Sequence, residues 1–368
     1  MLQKSDITLN QFCILFFSTL YGLSFLHFSK FFFLLKANMT TSILAVLFLA
    51  LVIFIAIFLT LRIVTTSKMG FLSCLLALSK KYSFFVFSFL VLLWSIVLIF
   101  FVRITAENVI LLLLPKTSLF LIIFTLLFLG FLVSIVKVEA LFKLNQLLFY
   151  FVPIFIFLLI FGIIKDGELI NILPFRGFEL YKLFSVFKNL SFLFFGVGLI
   201  FFYSDFVSKK ERLVRKSCYS LLFITLFYIL YYFAIMSVFG EFEVDKITWP
   251  ILDFSEVLSS SKLSVERLEF IIIIMWLIAS FVTVMNFYYA IFNVILKIFK
   301  AVNLKLNVLK EKIFSFFLLF VFSFFAFFLK INTPILFLVN LGILNIFVVF
   351  LIPFFTYFIL KFKGKLGS

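Results

Sequence analysis

Ten apolar runs of membrane-crossing length follow one another along this chain, separated by short polar breaks. They cover residues 8–28, 41–64, 84–102, 117–136, 144–164, 183–206, 217–239, 268–296, 313–329 and 334–360. A hydrocarbon core about 30 Å thick asks for roughly 20 apolar residues in a helix rising about 1.5 Å per residue. Backbone polar groups in lipid must be satisfied within the segment, so the pattern predicts helices. The expected fold is an all-α polytopic membrane protein with about ten transmembrane helices. The breaks are short, so residues 1–368 read as one membrane domain without a soluble appendage.

Composition strengthens this reading. The chain is 65% hydrophobic and 13% charged, against about half and about a quarter in an ordinary soluble domain. Phenylalanine supplies 65 residues, which fits lipid-facing positions where Phe and Leu are interchangeable. The net charge of +16 comes from bases that flank the apolar runs rather than forming a patch on a soluble domain, so no nucleic-acid partner is implied. With the N-terminus inside, 20 of the 32 Lys and Arg but only 5 of the 16 acids fall on the inner side. The positive-inside rule then places both termini in the cytoplasm. Lys4 and the run after it imitate a signal peptide, but no small-x-small cleavage site follows. The run is therefore expected to stay as the first helix.

Charge and cysteine usage also limit the chemistry. Cys13, Cys74 and Cys218 are far apart with no CxxC pattern, and His27 is the single histidine. A disulfide framework or a metal site is not expected. No Gly-rich phosphate loop and no nucleophile–base constellation occurs, so the chain reads as a non-enzyme without a cofactor.

Two runs carry marks of interrupted helices. The first has Ser18-Thr19-Leu20-Tyr21-Gly22 and the sixth has Phe195-Gly196-Val197-Gly198. Glycine inside a helix costs about 1 kcal/mol relative to alanine. Runs one and six correspond if the ten helices form two repeats of five, about 8–164 and 180–360. Interrupted spans at matching places point to a transporter-like binding site, and small residues for close helix packing are the alternative. Lys188, with Asn189 and Ser191, falls in the outer half of the sixth run. It would either attract a ligand carboxylate, pair with Glu179 or Glu107, or extend toward headgroups. Asp205 ends the same run beside a basic cluster, where a solvated helix end is the common outcome and an ion-pair latch the alternative. Ser280, Thr283 and Asn286 make a polar stripe in the eighth run, suited to lining a cavity or bonding a neighbouring helix. Trp94 and Trp276 lie deep in their runs, and Pro153 and Pro353 are expected to bend theirs.

The order of several segments is distinctive. ITLNQF (7–12) opens the first run, and KVEALFKLNQLLFYFVPIF (137–155) joins the fourth and fifth. ILPFRG (172–177) precedes the sixth, and KITWPILDF (246–254) is followed by ERLEFIIIIMWLIASF (266–281). This succession resembles the B subunit of endospore germinant receptors, the spore germination permease family, over nearly the whole chain. That family is similar to amino-acid permeases of the APC superfamily. The resemblance implies two inverted five-helix repeats with broken helices one and six. It also implies a spore inner membrane location, a small germinant such as an amino acid, and a receptor A subunit and lipoprotein C subunit as partners. Ligand contacts are then expected near the breaks, at Tyr21, Gly22, Phe195, Gly196, Val197 and Gly198, with Trp94 and Asn286 added from spans three and eight. The chain departs from the family in its Phe content and in having no proline in the sixth run. A germinant-sensing subunit is the leading expectation; a secondary amino-acid transporter and a scaffold with a vestigial pocket are the alternatives.

Overall fold

A computed structural model describes residues 7–25, 38–172, 179–207, 210, 212–244, 246–260, 267–304, 306–329 and 334–362. Its helices are α1 (Leu9–Ser24), α2 (Met39–Ser67), α3 (Phe71–Leu78), α4 (Lys80–Leu112), α5 (Leu119–Ser134), α6 (Val138–Phe149) and α7 (Val152–Asp166). After α8 (Leu180–Leu190) comes a 3₁₀ stretch, Ser191–Leu199, and the four-residue α9 (Ile200–Tyr203). Then follow α10 (Leu213–Val244), α11 (Pro250–Ser260), α12 (Leu268–Ala301), α13 (Val308–Phe328) and α14 (Pro334–Phe362).

The chain is a polytopic helical membrane protein. Among the described residues, eight helical segments are long and apolar enough to cross a bilayer, and α1 and α5 are shorter apolar helices. These ten segments coincide with the ten apolar runs. The fifth span is α6 and α7 together, interrupted at Tyr150 and Phe151, with Pro153 in the first turn of α7 where its missing N–H costs nothing. Pro353, by contrast, lies within α14.

Local chemistry fixes the helix starts. Thr8 and Gln11 form a reciprocal capping box on α1. Asn38 caps α2 through Thr41 N–H, and Ser79 caps α4 through Tyr82 N–H. Asn38 is buried in that role.

Span six and span eight occupy the interior. In span six 72% of the apolar window is buried, against 33% in α13. α12 packs on α1, α4 and α5, while the 3₁₀ stretch packs on α1 and α14. The outward face of α13 shows Phe316, Phe317, Phe320, Phe324, Phe325 and Phe328, as expected of positions solvated by lipid. The bundle has a basic end and an acidic end. At the basic end Lys216 Nζ donates to Asn10 Oδ1 at 3.2 Å, Lys210 Nζ donates to the Lys68 carbonyl at 3.3 Å, and Ile7 pairs with Val207. The acidic end holds a cavity of about 570 Å³ whose lining includes Asp166, Glu168, Glu241 and Glu243.

Candidate functional site

Spans one, five and eight bring four polar side chains together in the apolar interior. Asn145 Nδ2 donates to Asn286 Oδ1 at 2.9 Å, and Asn286 Nδ2 donates back to Asn145 Oδ1 at 3.0 Å. Asn286 Nδ2 also reaches Thr19 Oγ1 at 2.7 Å, and Ser18 Oγ donates to Asn145 Oδ1. Both asparagines are fully buried. Amides taken out of water at such depth persist when hydrogen-bonded, and here each oxygen and nitrogen has a partner. Tyr203 OH donates to the Asn286 backbone carbonyl at 2.7 Å, tying the C-terminal end of span six to this cluster. Tyr228 OH on α10 donates to the Leu20 and Leu193 carbonyls, at 3.1 and 3.3 Å. Spans one and six thus share a donor.

Glycines bring the backbones close enough for these bonds. A Cβ at Gly22 would lie 2.1 Å from Thr283 Oγ1 and 2.4 Å from the Ala279 carbonyl oxygen. One at Gly196 would lie 2.8 Å from Thr19 Cγ2.

On the opposite, largely apolar face of the 3₁₀ stretch, two buried polar atoms approach Gly198. A Cβ at Gly198 would lie 3.2 Å from Trp94 Nε1 and 3.3 Å from Asn345 Oδ1. Both atoms are buried, and neither has a hydrogen-bond partner among the described residues. Each such group costs about 1–3 kcal/mol. Tyr21 OH and Ser280 Oγ are unpaired in the same sense. Two small cavities accompany these atoms. One is lined by Ser18, Tyr21, Met275, Ala279 and Val282, the other by Val52, Phe194, Val197, Asn345 and Val349. Each is about 10 Å³, close to the least that admits one water. Among the described residues, the polar groups gathered at the centre of the bundle are neutral and the two cavities beside them are no larger than a water.

At the basic end Asp205 and Lys297 form an ion pair with side-chain exposures of 3% and 10%. Ser73 on α3 donates to the same carboxylate from Oγ at 3.1 Å and from N at 3.5 Å. The Lys297 ammonium also lies 5.6 Å from the centre of the Phe202 ring. Nearby, burial lowers Lys210 below the usual ammonium range, with Asp205 opposing the shift.

A family model for spore germination proteins, the spore permease family, matches residues 6–332. The chain belongs to this family. It is also 26% identical over 149 residues to spore germination protein A2 of Bacillus subtilis (strain 168), a stretch covering 40% of this chain and 41% of that protein. This spore germination permease therefore spans less than half the length of that relative in alignment.

Within the permease, the residues expected from sequence fall on two sides of span six. Gly22 presses on Ala279 and Thr283 of α12, Asn286 bonds Thr19 of α1, and the Tyr21 ring packs on Phe155 of α7 and Phe227 of α10. Gly196 faces Thr19, and the Phe195 ring lies 6.2 Å from that of Phe287. Trp94 and Gly198 meet on the far side, and Val197 lines the cavity there. The sixth span is interrupted where expected, as a 3₁₀ stretch rather than an unwound loop. In span one, α1 runs through residues 18–22 as regular helix and ends at Ser24; the remainder of that run, with His27, lies outside the described residues. Asp205 differs from the commoner expectation, because it is buried and paired rather than solvated. Lys188 sits in the last turn of α8. The two acids considered for it are engaged by closer bases, Glu179 by Lys182 at 2.7 Å and Glu107 by Arg103 at 2.6 Å.

Asn145 and Lys297 were missed for one reason. Apolar runs placed the starts and ends of spans five and eight at residues 144 and 296, whereas the helices extend to residues 138 and 301. Asn145 thus moves from a span edge to the interior, and Lys297 from a loop to a helix. Polar residues in an amphipathic lead-in segment such as VEALFKLNQLL were the available signal.

Proposed function

We propose that this spore germination permease is the germinant-sensing membrane subunit of a receptor, and that it binds a small uncharged or zwitterionic molecule, an amino acid foremost, at mid-membrane. The observation that carries this is the polar cluster Ser18–Thr19–Asn145–Asn286 beside the glycine-rich 3₁₀ stretch of span six. Neutral amides and hydroxyls suit a ligand whose own charges cancel. Contacts are assigned to Tyr21, Gly22, Phe195, Gly196, Val197, Gly198 and Asn286, with Trp94 reached from the far side. The unpaired Tyr21 OH and Trp94 Nε1 are donors in need of an acceptor, and a ligand carboxylate supplies one. The protein acts without catalysis. Binding favours one conformation over another, and its differential affinity sets the size of the response. The A subunit and lipoprotein C subunit carry that response onward, from the spore inner membrane, with both termini in the cytoplasm.

The test has two arms. Spores lacking this chain lose the response to one nutrient while vegetative uptake of it is unchanged. The purified full chain binds that nutrient saturably, and Asn286→Ala weakens binding. Accumulation of the nutrient in vesicles holding this chain alone would replace the receptor reading with a secondary transporter. Normal germination after Gly196→Leu and Gly198→Leu would leave a scaffold.

A further inference from the structure

The 3₁₀ stretch of span six is held between two anchors. At one end, a Cβ at Gly342 of α14 would lie 2.3 Å from Ser191 Oγ and 2.5 Å from Phe192 N, so the start of the stretch is seated directly on α14. Ser191 Oγ also donates to the Lys188 carbonyl at 2.6 Å. At the other end, three successive residues are tied to neighbouring elements. Tyr203 OH donates to α12, Ser204 Oγ accepts Phe71 N–H of α3 at 3.1 Å, and Asp205 binds Lys297 of α12 and Ser73 of α3.

Nine residues is long for a 3₁₀ helix, because runs beyond about 3–4 residues are uncommon and their hydrogen bonds are poorer than those of an α-helix. The 3₁₀ form rises about 2.0 Å per residue and the α form about 1.5 Å, so conversion of the stretch shortens it by about 4–5 Å. An ion-pair contact cannot persist through a displacement of that size. The extended stretch and the contacts at Asp205 therefore form or fail together. The packing at the anchor fits this. Gly70 has no Cβ where one would lie 1.7 Å from Asp205 Oδ1, so α3 closes directly over the carboxylate.

We propose that the Asp205–Lys297 pair, with Ser73, is a latch that holds span six in its 3₁₀ form. Its release lets residues 191–199 shorten toward an α-helix and draws the inner end of the span off α3 and α12. The latch is a property of the chain itself and does not require the ligand assignment above.

Native cysteines report on it. Cys74 follows Ser73 on α3 and is buried, whereas Cys218 on α10 is partly exposed. In full-length Cys13→Ser protein in detergent, maleimide labelling of Cys74 is measured relative to Cys218. Removing both charges together, Asp205→Asn with Lys297→Met, unlatches the span without stranding a charge. Relative labelling of Cys74 is expected to rise about tenfold or more through local opening. Gly70→Ala, which keeps both charges but crowds the carboxylate, is expected to act in the same direction and carries the test if the double variant does not accumulate. Labelling of Cys74 that stays at the parent rate in a folded variant overturns the latch, and so does a parallel rise at Cys218, which marks general unfolding.

Discussion

The two faces of span six contain similar chemistry in opposite states. Toward α1 and α12, Asn145, Asn286, Thr19 and Ser18 satisfy one another. Toward α4 and α14, Trp94 Nε1 and Asn345 Oδ1 are also buried, flank Gly198, and have no hydrogen-bond partner among the described residues. A satisfied network fixes helix positions, because moving any member strands the others. An unsatisfied pair does the reverse: it leaves hydrogen-bonding capacity for whatever next approaches. One face thus holds the bundle together and frames the proposed site, and the other leaves a donor and an acceptor that a ligand or a rearrangement can satisfy. The contrast extends to the basic end, where Asp205 is held from two helices at once.

Substitutions should separate these roles by size of effect. The largest is expected at the ion pair. Lys297→Met strands a buried carboxylate, and breaking a buried pair from one side costs about 3–5 kcal/mol. Removing both charges avoids that penalty, so the double variant with Asp205→Asn should melt closer to the parent than either single variant does. Thermal unfolding in detergent checks this. Near-additive losses would mean that the two side chains do not act as a pair.

Next in size is the satisfied face. Asn286→Ala leaves the Asn145 amide and the Thr19 hydroxyl short of partners, at a cost of about 1–3 kcal/mol. Asn145→Ala should cost a similar amount, and the two together less than the sum, because they remove one shared network. A double-mutant cycle by chemical or thermal denaturation measures the coupling. Additive behaviour would remove the basis for treating the cluster as a unit.

Much of this architecture was legible in the amino-acid order. Apolar run length located all ten segments, since the bilayer imposes that length directly. The glycines at 196 and 198 located the interruption of span six. Its form was not legible, because a 3₁₀ stretch arises from anchors at Ser191 and Asp205 that are distant in sequence from their partners Gly342 and Lys297. Asp205 reads in the sequence as a helix end near basic residues, which it is; its burial depends on α3 folding over it, and α3 is an eight-residue apolar helix, too short to register as a span. The site residues Tyr21 and Gly22 were singled out as a break, but Gly22 lies in regular helix pressed against Ala279 and Thr283. Small residues for packing and small residues for unwinding look alike in a sequence, and only the neighbouring backbone distinguishes them.

The smallest stability effects are expected on the unpaired face, and they sharpen the contrast most. Asn345→Leu replaces a buried acceptor that has no partner with an apolar group of similar size, and Trp94→Phe removes the unpaired donor. Since neither change breaks a hydrogen bond at Trp94 Nε1 or Asn345 Oδ1, Asn345→Leu should leave stability near that of the parent or raise it, within about 1 kcal/mol, while Trp94→Phe loses only the packing of a larger buried ring, about 1 kcal/mol. The same two substitutions should nevertheless raise the nutrient concentration needed for half-maximal germination, because they delete the donor and acceptor that an incoming group would use. Stability and response are therefore expected to move independently here, whereas at Asn286 they fall together. If Asn345→Leu destabilised the protein as much as Asn286→Ala, the two faces would be alike and span six would have no side held in reserve.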